Sequence, residues 1–389
     1  MQVDVVIEQR FYCCAEHQFW TENAFPYDFW TRYLQVFSAV NIVARVMQVD
    51  KPQSDWKRVD GPQVNFVALP SYIGPWQFVS SLLPLLRVLR SRKSANRAVI
   101  YRIPGILSAL YQFAAQSKNS PYGAEVVGDP ADVFAKGASK SVLRPLIKYI
   151  FVKLLRAQCQ AASAISYVTE FSLQRRYPPK PAAFHTHYSS IQLEDADFVT
   201  KQRYVLSSEL NIVCIGNLSQ PYKGCDFMLQ TLAQLKQQGL EFTLRWVGGG
   251  YLQAKMEEMA KQLGIAQHVT FVGNLADRQA IRDELDKADI FVLSSRQEGL
   301  PRVLIEAMAR SLVCVATNVG GVPELLPATF VIERDNHAQL AGILNKVHDF
   351  SASQLLTISQ QNHQKAREYE NVALVARRNA MYQHLLDTM

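Results

Sequence analysis

The stretch SSRQEGLPRVLIEAMARSLVCVATNVGGVPELL, residues 294–326, decides how this chain is read. It follows DIFVL at 289–293, a short apolar run of strand length, and Pro301 fits the first turn of a helix. Gln297, Glu298, Gly299 and Leu300 then form a tight loop between the carboxyl end of a strand and a helix N-terminus. Open α/β sheets bind ligands at that place. Free N–H groups and the helix dipole favour an anion there, above all phosphate, and Gly299 lets the backbone approach closely. Glu298 would repel a phosphate, so it addresses something beside it, such as sugar hydroxyls. Glu306 lies among Val303, Leu304, Ile305, Ala307 and Met308, where an ionised carboxylate needs donors. A ribose diol offers two. The pattern fits a nucleotide diphosphate-sugar, with ribose on Glu306, diphosphate over the helix start and sugar near Glu298. Two spaced glutamates are equally compatible with a helix-start acid and a surface side chain.

Neighbouring segments extend the pattern. NIVCIG (211–216) reads as a buried strand and leads through NLSQPY to Lys223 and Gly224, before a helix ending near Gly239. A lysine on such a loop can neutralise diphosphate as a point charge. WVGGG places Gly248 and Gly249 on a second strand-to-helix turn, which fails the GxGxxG pattern, and NVGGVPELL supplies a third. Further strands are expected at 242–248, 269–273 and 313–317, with helices near 251–263, 277–287 and 301–310.

The first half alternates in the same way. Strands are expected at 3–8, 40–46, 64–69, 98–103, 124–128 and 164–169, giving an α/β domain with a mostly parallel sheet. At 389 residues two domains are expected, with a Pro-, Ser- and charge-rich dip near 190–208. The boundaries are placed at 1–205, 206–366 and a terminal helix over 367–389. Composition is 48% hydrophobic and 19% charged, ordinary for a soluble enzyme, and no apolar run reaches the ~20 residues of a membrane span. The start reads as a first strand and not as a secretion signal. The six scattered cysteines are expected to be reduced, in a cytoplasmic chain.

The net charge of +7 is regional: residues 1–200 hold 22 Lys+Arg against 15 Asp+Glu, residues 201–389 hold 19 of each, and residues 51–160 hold 16 against 5. A local basic surface suits an anionic membrane or a polyanion; a solvated face is the plain alternative. The segments 82–97 and 139–160, with Arg144, Lys148, Lys153 and Arg156, carry much of the excess at helical spacing. Nucleic acid is not expected as a partner, because the second half has no basic stripe.

The pieces GNLSQPYKG, WVGGG, VTFVGNL, ADIFVLSSRQEGLPRVLIEAMA and VATNVGGVPELL, in this order over about 210–330, resemble retaining glycosyltransferases of family 4, with the GT-B fold. The resemblance implies two facing Rossmann-like domains with parallel sheets, donor on the second and acceptor on the first, and a C-terminal helix crossing back to the first. It implies ribose on Glu306, transferred sugar on Glu298 with the backbone of Gly299 and Leu300 ahead of Pro301, and diphosphate on Lys223. Two positions depart from the family. Asn217 stands where an arginine is usual, and Gly128-Asp129 where a histidine often follows the strand. Asp129 is therefore a candidate for positioning acceptor or sugar, or an Asp-Pro turn residue. Arg102 and Arg296 are candidates for the missing cation. No metal or other cofactor is implied; Asp195-Ala196-Asp197 is expected to be a solvated linker segment.

The loop 8–34 carries Phe19, Trp20, Phe25, Tyr27, Phe29, Trp30 and Tyr33, with Glu8, Arg10 and His17 as its polar candidates on the acceptor side, where Arg102 is a further one. Such aromatics stack sugars or pack cores. The resulting expectation is a retaining transferase moving a sugar from a nucleotide-sugar to a glycan or lipid-linked acceptor. It would work in cell-envelope, lipopolysaccharide or exopolysaccharide assembly, at the inner face of the plasma membrane. The competing readings are a non-catalytic sugar-nucleotide-binding protein and an epimerase or phosphorylase of the same fold.

Overall fold

The computed structural model describes residues 1–14, 17–22, 24–93, 96–117, 120–133, 144–204, 206, 209–275 and 277–389. The chain forms two compact units, one from residues 1–188 with 375–389, the other from 189–374. The division thus falls before the expected 205, and the terminal segment joins the first unit from Val375 instead of 367. Residues 189–204 belong to the second unit because their backbone is held there: Val199 N–H donates to Ala309 O at 3.0 Å.

The first unit is built on a sheet whose parallel strands run in the order Val64–Pro70, Ala39–Gln48, Gln2–Cys13, Ala98–Ile103, Gly123–Val126, Ala164–Tyr167, Phe184–His187. The inner strands are largely buried on both faces, as in a covered parallel sheet, and Asp4, Asn41 and Glu125 are buried polar members of them. Gln2–Cys13 pairs with Ala98–Ile103 only from Val3 to Val6, whereas it follows Ala39–Gln48 to its end. The two strands part at Glu8, which is the unit's switch point. Phe19–Thr21 and Lys57–Arg58 add a short antiparallel ribbon. These two strands and Phe184–His187 are too short to show a period in the sequence.

The second unit has a six-stranded parallel sheet in the order Val269–Gly273, Phe242–Val247, Leu210–Ile215, Ile290–Leu293, Val313–Thr317, Val331–Ile332. Its switch point lies between Leu210–Ile215 and Ile290–Leu293, the strands preceding the Lys223 and Glu298 loops. The expected strands and helices of this half are present within one or two residues of their expected ends. The helix after Glu298 is Arg302–Ala309, with Pro301 as its N-cap and not in its first turn.

Three of the seven aromatics of the first loop are core, and Phe19, Trp20, Phe25 and Tyr27 are half-buried. Trp30 and Tyr33 are fully buried, Phe29 nearly so, and Phe19 stacks on Phe66 at 3.9 Å. The terminal helix Asn371–Asp387 contributes Tyr382 and Met381 to the same unit's interior.

Candidate functional site

In the second unit the loops leaving the two central strands meet. Lys223 ends a short 3-10 turn, Pro221–Lys223, and its Nζ donates to Glu298 Oε1 at 2.7 Å. Ser295 Oγ donates to the same oxygen at 2.7 Å. Both charged side chains are largely shielded, at 19% and 12% exposure. The resemblance assigned them to adjoining parts of one ligand, diphosphate and sugar; the structure joins them across the switch point.

The third glycine-rich turn braces the Glu298 loop. Gly321 N–H donates to Gly299 O at 2.7 Å. Gly320 sits at φ +51, and a Cβ there would lie 2.2 Å from Gly299 O and 2.3 Å from Glu298 O. Only glycine permits this approach. Leu300 is half-buried and Pro301 buried, so the loop enters its helix as a packed element. At the second turn Gly248, with φ +119, lies against Gly216 O, and Gly249 N–H donates to Asn274 Oδ1 at 2.7 Å. These glycines bring two loops together.

Glu306 lies on the helix that follows. Among the described residues its carboxylate has no hydrogen-bond or ion-pair partner. It borders a cavity of about 40 Å³ with Asp197, Arg278, Arg282 and Arg310. Burial raises its pKa above the ordinary carboxylate value, against the lowering pull of Arg302 and Arg278. An underpaired carboxylate of this kind can accept from a hydroxyl pair.

Several expected site residues have other work. Arg296 binds Asp226 through Nη1 and Nη2 at 2.8 and 3.0 Å, Asp335 through Nε at 2.8 Å, and Pro221 O at 3.0 Å. It ties the Lys223 loop down and is no spare cation. Asn217 is exposed, and its Oδ1 accepts from Ser219 N–H at 2.6 Å, an Asx turn that shapes the loop. Asp197 is buried and accepts from Arg278 at 3.0 Å and Arg282 at 2.7 Å, so this linker aspartate is not solvated; Asp195 is exposed. Sequence reasoning did not single out Arg278, Arg282 or Asp197 for the Glu306 cavity. Arg278 and Arg282 are one turn apart on a helix, which was the available signal.

In the first unit Arg102 is buried against Glu125, whose carboxylate also accepts from Tyr33, Tyr188 and Tyr382. Arg102 is a core counter-ion, neither an acceptor contact nor a substitute cation. Asp129 accepts from Ala131 N–H at 2.7 Å and Tyr177 OH at 2.5 Å, and pairs with Arg176. That is the Asp-Pro turn alternative, with a fixed carboxylate. His17 is an exposed turn residue at φ +55. Arg10 stands opposite Arg45 on the neighbouring strand, and its Nε is buried with no hydrogen-bond partner among the described residues. Glu8 accepts from Tyr72 OH at 3.0 Å and from Leu107 N–H at 2.9 Å.

The cysteines are free and buried. Among the described residues no three His, Cys, Asp or Glu side chains gather as a metal site, and no helix is long and apolar enough to cross a membrane.

Comparison with known proteins places these observations. Residues 209–349 match the family described as glycosyl transferases group 1. Protein CapJ of Staphylococcus aureus is 25% identical over 322 residues, 83% of this chain and 80% of that protein. A GDP-mannose-dependent alpha-(1-6)-phosphatidylinositol monomannoside mannosyltransferase of Mycolicibacterium smegmatis is 32% identical over 137 residues, 33% of this chain and 35% of that protein. The crystal structure of Anabaena Alr3699/HepE in complex with UDP and glucose has TM-score 0.65 at 15% identity, with full coverage of both chains. The fold is therefore of the GT-B class.

Proposed function

We propose that this chain, a glycosyltransferase of the group 1 type, transfers a sugar with retention from a nucleotide diphosphate-sugar to a glycan or lipid-linked acceptor of the cell envelope or an exopolysaccharide. The observation that carries this reading is the meeting of Lys223 and Glu298 across the second unit's switch point. A cation for diphosphate and a carboxylate for sugar hydroxyls stand side by side, with Glu306 further along the helix for ribose. The UDP complex of HepE and the GDP-mannose dependence of the mannosyltransferase support a nucleotide-sugar donor, and their different bases leave the base of this donor open. The mannosyltransferase, named for a phosphatidylinositol monomannoside acceptor, supports a lipid-linked acceptor.

In the mechanism we infer, Lys223 and the N–H groups at the helix start stabilise the leaving diphosphate, so no metal is required. Glu298, Gly299 and Leu300 orient the sugar. The leaving phosphate takes the acceptor proton on the face from which it departs. A second reading, nucleotide-sugar binding without turnover, draws on the shortage of cations: Asn217 carries none, and Arg296 is held by two carboxylates. Calorimetry with UDP, GDP and ADP on wild type and Glu306→Ala tests the proposal. Selective binding that the variant loses supports it; binding indifferent to Glu306 refutes the assignment. Turnover of the bound nucleotide's sugar ester then separates transfer from binding alone.

A further inference from the structure

The first unit has a cavity at its own switch point, and its chemistry is the opposite of the second unit's site. It measures about 470 Å³, within the ~300–1,000 Å³ of ordinary small-ligand sites. Its walls come from loops and helices at the carboxyl ends of the sheet strands, where α/β sheets bind ligands. Phe78, Ile106, Ile147 and Phe151 dominate the lining, and Glu8 is its one charged member. That carboxylate is already engaged by Tyr72 and Leu107. A polar sugar has little here to bind.

Two helices frame the opening, and both expose apolar side chains beside basic ones. Gly74–Arg90 exposes Trp76, Val79 and Leu83 at 86%, 64% and 77%, ahead of Arg87 and Arg90 in its last turn. Arg144–Ala161 exposes Leu146, Tyr149 and Ile150 at 55%, 60% and 51%, interleaved with Arg144, Lys148, Lys153 and Arg156. Neither helix contains an acid. Among the described residues none of Arg87, Arg90, Lys153 and Arg156 pairs with a carboxylate, whereas Arg92, Arg97 and Arg102 do. Part of the unpaired basic excess therefore lies beside exposed apolar side chains. The cavity is lined by Phe78 on one helix and by Ile147 and Phe151 on the other.

We propose that this cavity takes the hydrocarbon chain of an anionic, bilayer-borne acceptor lipid, with the two helices resting on the bilayer around it. Exposed apolar side chains beside basic ones match a surface of acyl chains beneath anionic headgroups. The proposal deepens the lipid-linked acceptor reading above and rests on it.

The test uses the full chain with decyl phosphate as a soluble probe, and with phosphatidylcholine vesicles with or without phosphatidylglycerol. Ile147→Trp fills the cavity from one wall and Ile106→Trp from another, so one misfolded variant does not remove the test. Leu146→Trp, on the exposed face, is the control. Decyl phosphate should bind saturably. Either filling variant should weaken it about tenfold or more, equivalent to two displaced methylenes at ~0.8 kcal/mol each, and the control should not. Vesicles containing phosphatidylglycerol should retain the protein better than pure phosphatidylcholine. Unsaturable binding of decyl phosphate, or binding indifferent to both filling variants, overturns the proposal; vesicle binding that persists alongside such a result assigns the face to surface adhesion alone. Nucleotide calorimetry on the same samples separates the two readings. A chain that binds decyl phosphate in the cavity but no nucleotide keeps the cavity assignment and loses the transferase reading.

Discussion

Lys223 Nζ and Glu298 Oε1 lie 2.7 Å apart, joining the two loops that flank the switch point of the second sheet. A diphosphate arriving there must share the lysine with this carboxylate. The two residues should therefore respond with opposite signs. Lys223→Ala removes a charged hydrogen bond worth ~1.5–3 kcal/mol and should weaken nucleoside diphosphate binding by about ten- to a hundredfold. Glu298→Gln releases the lysine and removes a repulsive charge, so affinity for the diphosphate should rise while sugar transfer falls. Calorimetry and steady-state transfer on both variants check this. A Glu298→Gln variant that binds diphosphate less well would make the pair a structural brace.

Arg102 makes the contrasting case. Its guanidinium and the Glu125 carboxylate are buried together. Removing one partner of such a pair costs ~3–5 kcal/mol, so Arg102→Met should sharply lower the melting temperature while nucleotide binding below the transition stays unchanged. The pH response should invert as well. Burial pushes the Glu125 pKa up, but Arg102 and the Tyr382 and Tyr188 hydroxyls outweigh it and hold it below its ordinary value. Its stability contribution is present above the unfolded carboxylate pKa and lost as pH falls through the folded one. Without Arg102 burial dominates, and mild acid should stabilise the variant. Melting curves across the acid range decide it.

Lys223 and Arg102 show where the sequence is legible. Alternating apolar runs revealed most of the parallel strands, because a strand covered on both faces must be apolar throughout. Loop positions followed from strand ends, so Lys223, Glu298 and the Gly320-Gly321 turn could be placed. Partners could not. Arg296 reaches Asp226 and Asp335, and Asp129 reaches Tyr177, across long stretches of chain. A charged residue near a strand end looks the same in sequence whether it faces a ligand or a carboxylate. The cavity of the first unit was hidden for a related reason: its walls come from several loops, each unremarkable alone.

Gly320 tests whether the bracing turn sets the Glu298 loop. Gly320→Ala would press a methyl onto the Glu298 and Gly299 carbonyls and hold a non-glycine residue at φ +51. A strain of ~1–3 kcal/mol is expected, together with weaker nucleotide binding. Gly249→Ala is the comparison: the nearest atom to its Cβ would be 3.4 Å away, an ordinary contact. Its melting temperature should barely change. Equal losses in both variants would mean that Gly320 exerts no special hold on the loop.

Glu306 joins stability to function through one unpaired carboxylate. Burial raises its pKa, so the folded chain holds that proton more tightly than the unfolded chain. Stability therefore falls as pH rises from the unfolded carboxylate value through the raised folded one, and the deficit is complete above it. Glu306→Gln removes the buried charge and should melt higher than wild type at neutral pH, with the difference vanishing in acid below both values. The same change should weaken nucleotide binding, because an amide accepts from a ribose diol less strongly than a carboxylate does. Wild-type binding should weaken as pH falls through the raised pKa, and the variant's should not. A variant that melts lower at neutral pH would show that the Glu306 carboxylate has a partner within the fold and is not held ready for a ligand.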